Sequence, residues 1–188
     1  MSLRIVKQKY IAENLIIYLN KYLWYDNSII NLKSITKLTK KLYRSDFMNQ
    51  QIYERAKSFK RTYPSTIAWR LRAHAKVAEQ HLNNDEIVDY VFVAQKNDKF
   101  YDIISTYLVV LTNQRIFLCQ KRLLFGYFTA SVQRYMFNDL KVKRGIVWGK
   151  IYIDTIKEFI SLSNISKSAL LEIENKISEH VVKAQEKK

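Results

Sequence analysis

Along the first 84 residues, apolar side chains recur every three or four positions, the signature of one helical face turned to a core. Ile11, Leu15, Tyr18 and Tyr22 form one such stripe. Ile35, Leu38 and Leu42 form a second, with Lys33, Lys37, Lys40, Lys41 and Arg44 mostly facing away. Ser45-Asp46 is suited to cap a third helix, whose stripe is Met48, Ile52, Ala56 and Phe59. Pro64 either opens the next helix or marks a turn after which Ser65 or Thr66 caps. Ile67, Leu71, Ala75, Ala78 and Leu82 supply the next stripe, and "LNNDE" (82–86) ends it.

After that point the period changes. The segments 87–95, 103–112, 115–120, 127–137, 140–148 and 150–162 are short, rich in β-branched and aromatic residues, and separated by turn formers. In the last, Ile151, Ile153, Thr155 and Lys157 alternate with Tyr152, Asp154, Ile156 and Glu158 through one predicted strand. All three glycines, Gly126, Gly145 and Gly149, lie in this half. The chain closes on a helix capped by Ser166, with Leu170, Ile173, Ile177 and Val181 on its apolar face. Glu172 with Lys176 and Glu179 with Lys183 are expected i, i+4 pairs.

Charge adds a question to this pattern. The net charge is +15, of which residues 1–84 carry +11 (16 Lys+Arg against 5 Asp+Glu) and residues 85–188 carry +4. Such a field attracts polyanions: nucleic acid, anionic lipid or an acidic protein face. One proline and three glycines leave little room for flexible linkers. The lone Cys119 sits in an apolar run and reads as a buried small hydrophobe. Met1 to Arg4 begin no signal peptide, and no uncharged run is long enough to span a bilayer. The expected location is the cytoplasm, with contact to a membrane only at its surface.

The strand half resembles the bacterial pleckstrin-homology-like (PH-like) family, of the YokE-like kind. The likeness rests on "LVVLTNQRIFLCQKRLLFG", "RYMFNDLKVKRGIVWGKIYI" and "SLSNISKSALLEIENKI". Three motifs occur in order: a Thr-Asn-x-Arg-apolar hairpin at Thr112 to Ile116, a Gly-apolar-apolar-x-Gly-Lys segment at Gly145 to Lys150, and the helix start from Asn164 to Lys167. Gln114 stands where Lys or Arg is commoner. The resemblance covers about residues 84–183 and implies an α+β fold. A basic helical domain (1–83) precedes a PH-like antiparallel β-barrel or sandwich (84–183) closed by a C-terminal α-helix, and residues 184–188 form a frayed tail. It implies a binding module, with the open strand edges of a split barrel able to accept an added strand.

Two sets of residues are candidates for binding. Lys121 and Arg122 adjoin the apolar knuckle Leu123-Leu124-Phe125, either a contact surface or a plug folded under the barrel end, the plug being the expectation. Lys143, Arg144 and Lys150 surround Trp148, which either packs inward in a tight hairpin or wedges beside an anion. Together these are the rim candidates for a protein or anionic partner. On the helical side, Trp69, Arg72 and Lys76 fall on one side of a predicted helix, with Arg70 off it; these could meet nucleic acid. Arg115, following its turn, reads as a strand-end charge facing water. Asp85, Glu86 and Asp89 read as a solvated junction, and His74, His81 and His180 as structural or surface residues.

No nucleophile elbow, phosphate loop or metal-ligand spacing is present in the sequence. The reading is therefore a non-enzymatic binding or scaffold protein that needs no cofactor, metal or small-molecule substrate. Its partner is a protein or a second copy met by the PH-like domain, with nucleic acid at the helical domain or an anionic membrane surface as alternatives.

Overall fold

The computed structural model describes residues 51–83, 85–96 and 103–185. The chain divides into two compact units, Met1–Phe47 and Met48–Lys188, and the described residues all belong to the second. The stripes expected at Ile11–Tyr22 and Ile35–Leu42, and the cap at Ser45-Asp46 with Met48, lie outside the described residues.

Seven antiparallel strands make one sheet in the order β4-β3-β2-β1-β7-β6-β5: β1 (Val88–Gln95), β2 (Thr106–Thr112), β3 (Arg115–Lys121), β4 (Tyr127–Gln133), β5 (Phe137–Arg144), β6 (Trp148–Thr155) and β7 (Phe159–Ser166). Two meanders, β1–β4 and β5–β7, meet at a single bridge, Gln95 with Ser163. The expected strand at 150–162 is two strands. Thr155 Oγ1 accepts from Glu158 N (2.9 Å) and Lys157 N (3.3 Å) and so folds residues 156–158 into a turn. Residues 145–147 are likewise a turn rather than part of a strand, closed by Gly145 N donating to Trp148 O (2.9 Å).

Among the described residues three α-helices accompany the sheet: α1 (51–62), α2 (Leu71–His81) and α3 (Leu170–Gln185). In α1 the stripe Ile52, Ala56 and Phe59 is buried, as its spacing predicts. Phe59 packs against Tyr90 and Phe92 of β1. Helix α2 buries His74, Ala75, Val77 and Ala78 and packs on β2 and β3. Helix α2 helps bury β2, every residue of which is buried: a strand covered on both faces reads as a continuous apolar run. Both α1 and α2 lie before residue 84 in the sequence and are part of the same compact unit as the sheet. Helix α3 closes the fold on Leu170, Ile173 and Ile177.

Several local expectations are corrected. Pro64 sits in a turn closed by Thr66 N donating to Tyr63 O (3.0 Å), and α2 begins only at Leu71, after Arg70 in the left-handed region (φ 54). Ser65 and Thr66 cap no helix. They bond β7 instead: Thr66 Oγ1 accepts from Ser166 N (3.0 Å), Ile67 N donates to Asn164 O (3.0 Å), and the Ser65 and Ser166 hydroxyls are 2.7 Å apart. Ser166 makes no side-chain cap, and a short 3-10 turn, Lys167–Ala169, precedes α3. Glu172 turns away from Lys176 to accept from the Tyr63 and Tyr90 hydroxyls (2.7 Å from Tyr90), because two half-buried phenols need an acceptor more than an exposed ammonium does. The Tyr63 hydroxyl is pushed up to about 12 by that bond, by burial and by the Glu172 charge. Lys176 pairs with Glu179 at 3.1 Å.

Candidate functional site

The register places the ends of the strands. Leu108 opposite Cys119 and Lys121 opposite Tyr127 set the start of β2, the end of β3 and the start of β4 side by side, and Gln95 opposite Thr106 brings the end of β1 beside them. Lys96, just past β1, lies 3.9 Å from Glu158 in the β6–β7 turn. One mouth of the barrel is thus ringed by Lys96, the β3–β4 loop and the β6–β7 turn.

The knuckle does not plug this mouth. Leu124 is 78% and Phe125 85% exposed, with Leu123 at 49%. Gly126 closes the loop with a positive φ of 74°, which glycine adopts without cost, and Arg122 N donates to Gly126 O (3.2 Å) across the neck. In the place the plug would take is an open cleft of about 420 Å³ lined by Ile104, Gln120, Arg122, Leu123–Phe125 and Phe128. Gln120 donates to Ile104 O and so fixes one wall.

Basic side chains converge here from separate elements. Arg122 lies 4.9 Å above the Phe128 ring, and Arg70 donates to Arg122 O (3.1 Å) while lying 5.5 Å from the Trp69 ring. Trp69 is held by its N–H on Thr106 Oγ1 (3.2 Å) at the start of β2. Lys121 is tied by its backbone N–H to His74 Nδ1 (2.8 Å). His74 is pulled down to about 4, first by burial and then by the Arg70 charge, against the opposing pull of the Trp69 carbonyl. The neutral ring is therefore the acceptor that fixes the end of β3 to α2.

The nucleic-acid candidates do not share one helix face. Trp69 and Arg70 precede α2 and join the mouth. Arg72 lies over the Tyr53 ring of α1 (4.8 Å), and Lys76 is exposed on α2. The second rim group is also separate. Lys143 and Lys150 are cross-strand neighbours and Arg144 faces Gly149 at the far end of the β5–β6 hairpin. Trp148 Nε1 donates to Ser65 O (2.6 Å), and the hairpin tip exposes Ile146 at 93%. Gly149 is required here: a Cβ would stand 2.3 Å from Leu170 Cδ1 and 2.8 Å from Lys143 O.

The Thr-Asn-Gln-Arg hairpin does a structural task that the sequence reading missed. Arg115 does not face water. Its Nε and Nη2 donate to the two oxygens of Glu86 (2.9 and 3.0 Å), and Nη2 also reaches His81 O (2.7 Å) at the end of α2. Thr112 Oγ1 (2.7 Å) and Asn83 N (2.9 Å) complete the Glu86 carboxylate, whose side chain is fully buried. Burial pushes this carboxyl up. The Arg115, Asn83 and Thr112 hydrogen bonds and the Arg115 charge outweigh it, so the carboxyl lies below its ordinary value. Only Asp85 and Asp89 of the acidic trio are solvated. Cys119 is buried, and burial raises its thiol well above the ordinary range. Among the described residues no cluster of three or more His, Cys, Asp or Glu could hold a metal, and no helix is long and apolar enough to cross a membrane.

The mouth residues Ile104 and Phe128 were not legible in the sequence as site residues. Both are apolar residues at element ends, and only the register brings them together.

An antiparallel sheet of two meanders closed by a C-terminal helix, with binding potential in its loops, is the architecture of a PH-type binding module. Residues 82–179, just over half of the chain, match the family model described as bacterial PH domain, and the chain belongs to that family. PH domains are in general non-catalytic binding modules. No curated protein matches the chain.

Proposed function

We propose that this protein is a protein-binding module that engages an acidic, partly apolar segment of its partner at the barrel mouth. The observation that carries the reading is the exposure of Leu124 and Phe125 beside a cleft with Arg122 and Arg70 at its edge. Exposed apolar clusters are uncommon on a soluble surface unless something covers them. A cleft receives side chains, and the net charge of +15 favours an acidic partner. A nucleic-acid reading has less support, because Arg72 is engaged with Tyr53 rather than aligned with Trp69 and Lys76.

The test is selection of displayed random twelve-residue peptides on the immobilised full-length chain, followed by anisotropy titration of the enriched peptides. Enrichment of Asp and Glu beside apolar residues is expected, with affinity at least tenfold weaker for Leu124→Ser/Phe125→Ser and for Arg122→Glu. Equal affinity for these variants contradicts the reading. Binding of phosphatidylserine vesicles or a DNA duplex in place of any peptide would replace it.

A further inference from the structure

The sheet offers three places where a further strand could pair, and they are not equivalent. The first is the gap between the meanders, where β1 and β7 share only the Gln95–Ser163 bridge. That gap is filled by the chain itself. Ile67 N bonds Asn164 O and Thr66 Oγ1 receives Ser166 N, so Ser65–Ile67 lie along β7 beyond the bridge.

The second is the outer edge of β5. Its sequence, Phe137–Arg144, carries Asp139, Lys141, Lys143 and Arg144, and its pairing with β6 is interrupted between Phe137 and Asp139. Charges and an irregularity of this kind are what natural sheets use to keep an edge from pairing.

The third is β4, Tyr127–Gln133, and it carries none of these guards. "YFTASVQ" has no charged residue and no proline. Its pairing with β3 runs unbroken over seven residues, from Arg115–Gln133 to Lys121–Tyr127. Among the described residues no strand pairs with its outer side.

The direction of its backbone groups follows from the loop. Arg122 N donates to Gly126 O, so Arg122 and Gly126 are a hydrogen-bonded pair in the β3–β4 register. Hydrogen-bonded and non-bonded pairs alternate in an antiparallel ladder. Phe128, Ala130 and Val132 therefore point their N–H and C=O at β3. Tyr127, Thr129, Ser131 and Gln133 point theirs outward. The cleft at the mouth, with Phe128 and Arg122 in its wall, adjoins the first residues of this edge.

We infer that the partner segment binds in extended form as an eighth strand on β4, bonding the outward groups of Tyr127, Thr129, Ser131 and Gln133 and placing an apolar side chain in the mouth cleft. The inference rests on the protein-binding reading above and names its mode. Charge selects the occupant. A second copy of this chain would bring another +15 to an edge flanked by Lys121 and Arg122 near its start and by Arg134 just past its end, whereas an acidic segment is attracted to these charges. Backbone bonds would supply affinity and the cleft would supply side-chain preference.

The experiment uses the selected peptides and the full chain. Each peptide is compared with forms N-methylated at alternate residues, which lose the donors of one edge. Separately, Thr129→Pro removes one outward donor, leaves the β3 ladder intact and obstructs the edge, as proline does on edge strands. At least tenfold weaker binding is expected for one N-methylation phase but not the other, and for Thr129→Pro. Peptides that lose affinity with Leu124→Ser/Phe125→Ser yet bind equally in both N-methylated forms would overturn strand addition while keeping the mouth as the site. Peptides indifferent to the mouth variants would overturn the reading above, which places the partner segment at the mouth. Because the N-methylated peptides leave the protein untouched, the result stands even if Thr129→Pro does not fold. Dimerisation through β4 in sedimentation, lost in Thr129→Pro, would give the edge to a second copy and overturn the acidic segment.

Discussion

Arg115→Met tests the structural account most severely. The substitution keeps an apolar stem of similar length and removes the guanidinium that donates to both Glu86 oxygens and to His81 O. Glu86 is left with its side chain fully buried and only Thr112 Oγ1 and Asn83 N as donors. Arg115 is itself only 14% exposed at its side chain, so solvent screens the pair little. Breaking a buried pair by removing one partner costs about 3–5 kcal/mol, because a charge remains buried without compensation. The same change frees the C-terminal carbonyl of α2 from its donor, which belongs to the same loss. Replacing both partners, as Arg115→Met/Glu86→Met, removes the orphaned charge and should recover at least half of that cost. Urea unfolding followed by circular dichroism at neutral pH measures both. A single-variant loss below about 1 kcal/mol, the size of a typical surface pair, or a double variant worse than the single, would refute the reasoning.

Other outcomes follow from the same geometry. Gly149→Ala should destabilise by about 2–3 kcal/mol in urea unfolding, since its Cβ would meet Lys143 O and Leu170 Cδ1 inside contact distance. The unfolded chain takes up a proton at His74 near pH 6.5, while the folded chain resists until about 4. Stability should therefore fall as pH drops from about 6.5 to 4, by up to about 3 kcal/mol. His74→Asn should flatten that window. Glu86, whose folded value is depressed, adds a further loss as pH falls below its ordinary 4.5. Leu124→Ser/Phe125→Ser should leave unfolding midpoints unchanged within about 0.5 kcal/mol, as exposed positions do. Cys119 should resist thiol reagents until the protein unfolds, because its sulfur is buried and its thiolate disfavoured.

The periodicities carried most of the fold. The stripes of α1 and α3 and the change from period 3.6 to period 2 near residue 84 all correspond to observed elements, because burial on one face writes itself into residue spacing. Turns set by side-chain bonding were less legible. Thr155 ends a strand whose alternation runs on through Ile156 and Glu158, and nothing in alternation marks a turn built by a hydroxyl. Buried charge was read wrongly for a related reason. Arg115 and Glu86 are 29 residues apart, and a charged residue beside a turn looks solvated until its partner is known.

The site was legible only in part. Lys121 and Arg122 with Leu123–Phe125 stand out as a basic, apolar run, but composition alone does not say whether the knuckle points in or out, and the structure exposes it. Trp69 was read as part of one helix face and Arg70 as lying off it. They reach the mouth because α2 starts after them, at a left-handed Arg70 that no spacing rule predicts. Lys143, Arg144 and Lys150 look similar in composition to the mouth group, yet strand direction sends them to the far end of their hairpin. The unguarded β4 edge becomes visible only once the strand order shows that "YFTASVQ" is terminal rather than central.

The most direct measurement is amide chemical-shift mapping of the full-length chain on titration with a selected acidic peptide. The account predicts that the largest shifts fall on Ile104, Arg122 to Phe128 and onward along β4 to Gln133. Shifts confined to Arg72 and Lys76 on α2, or to the β5–β6 hairpin around Trp148, would contradict it.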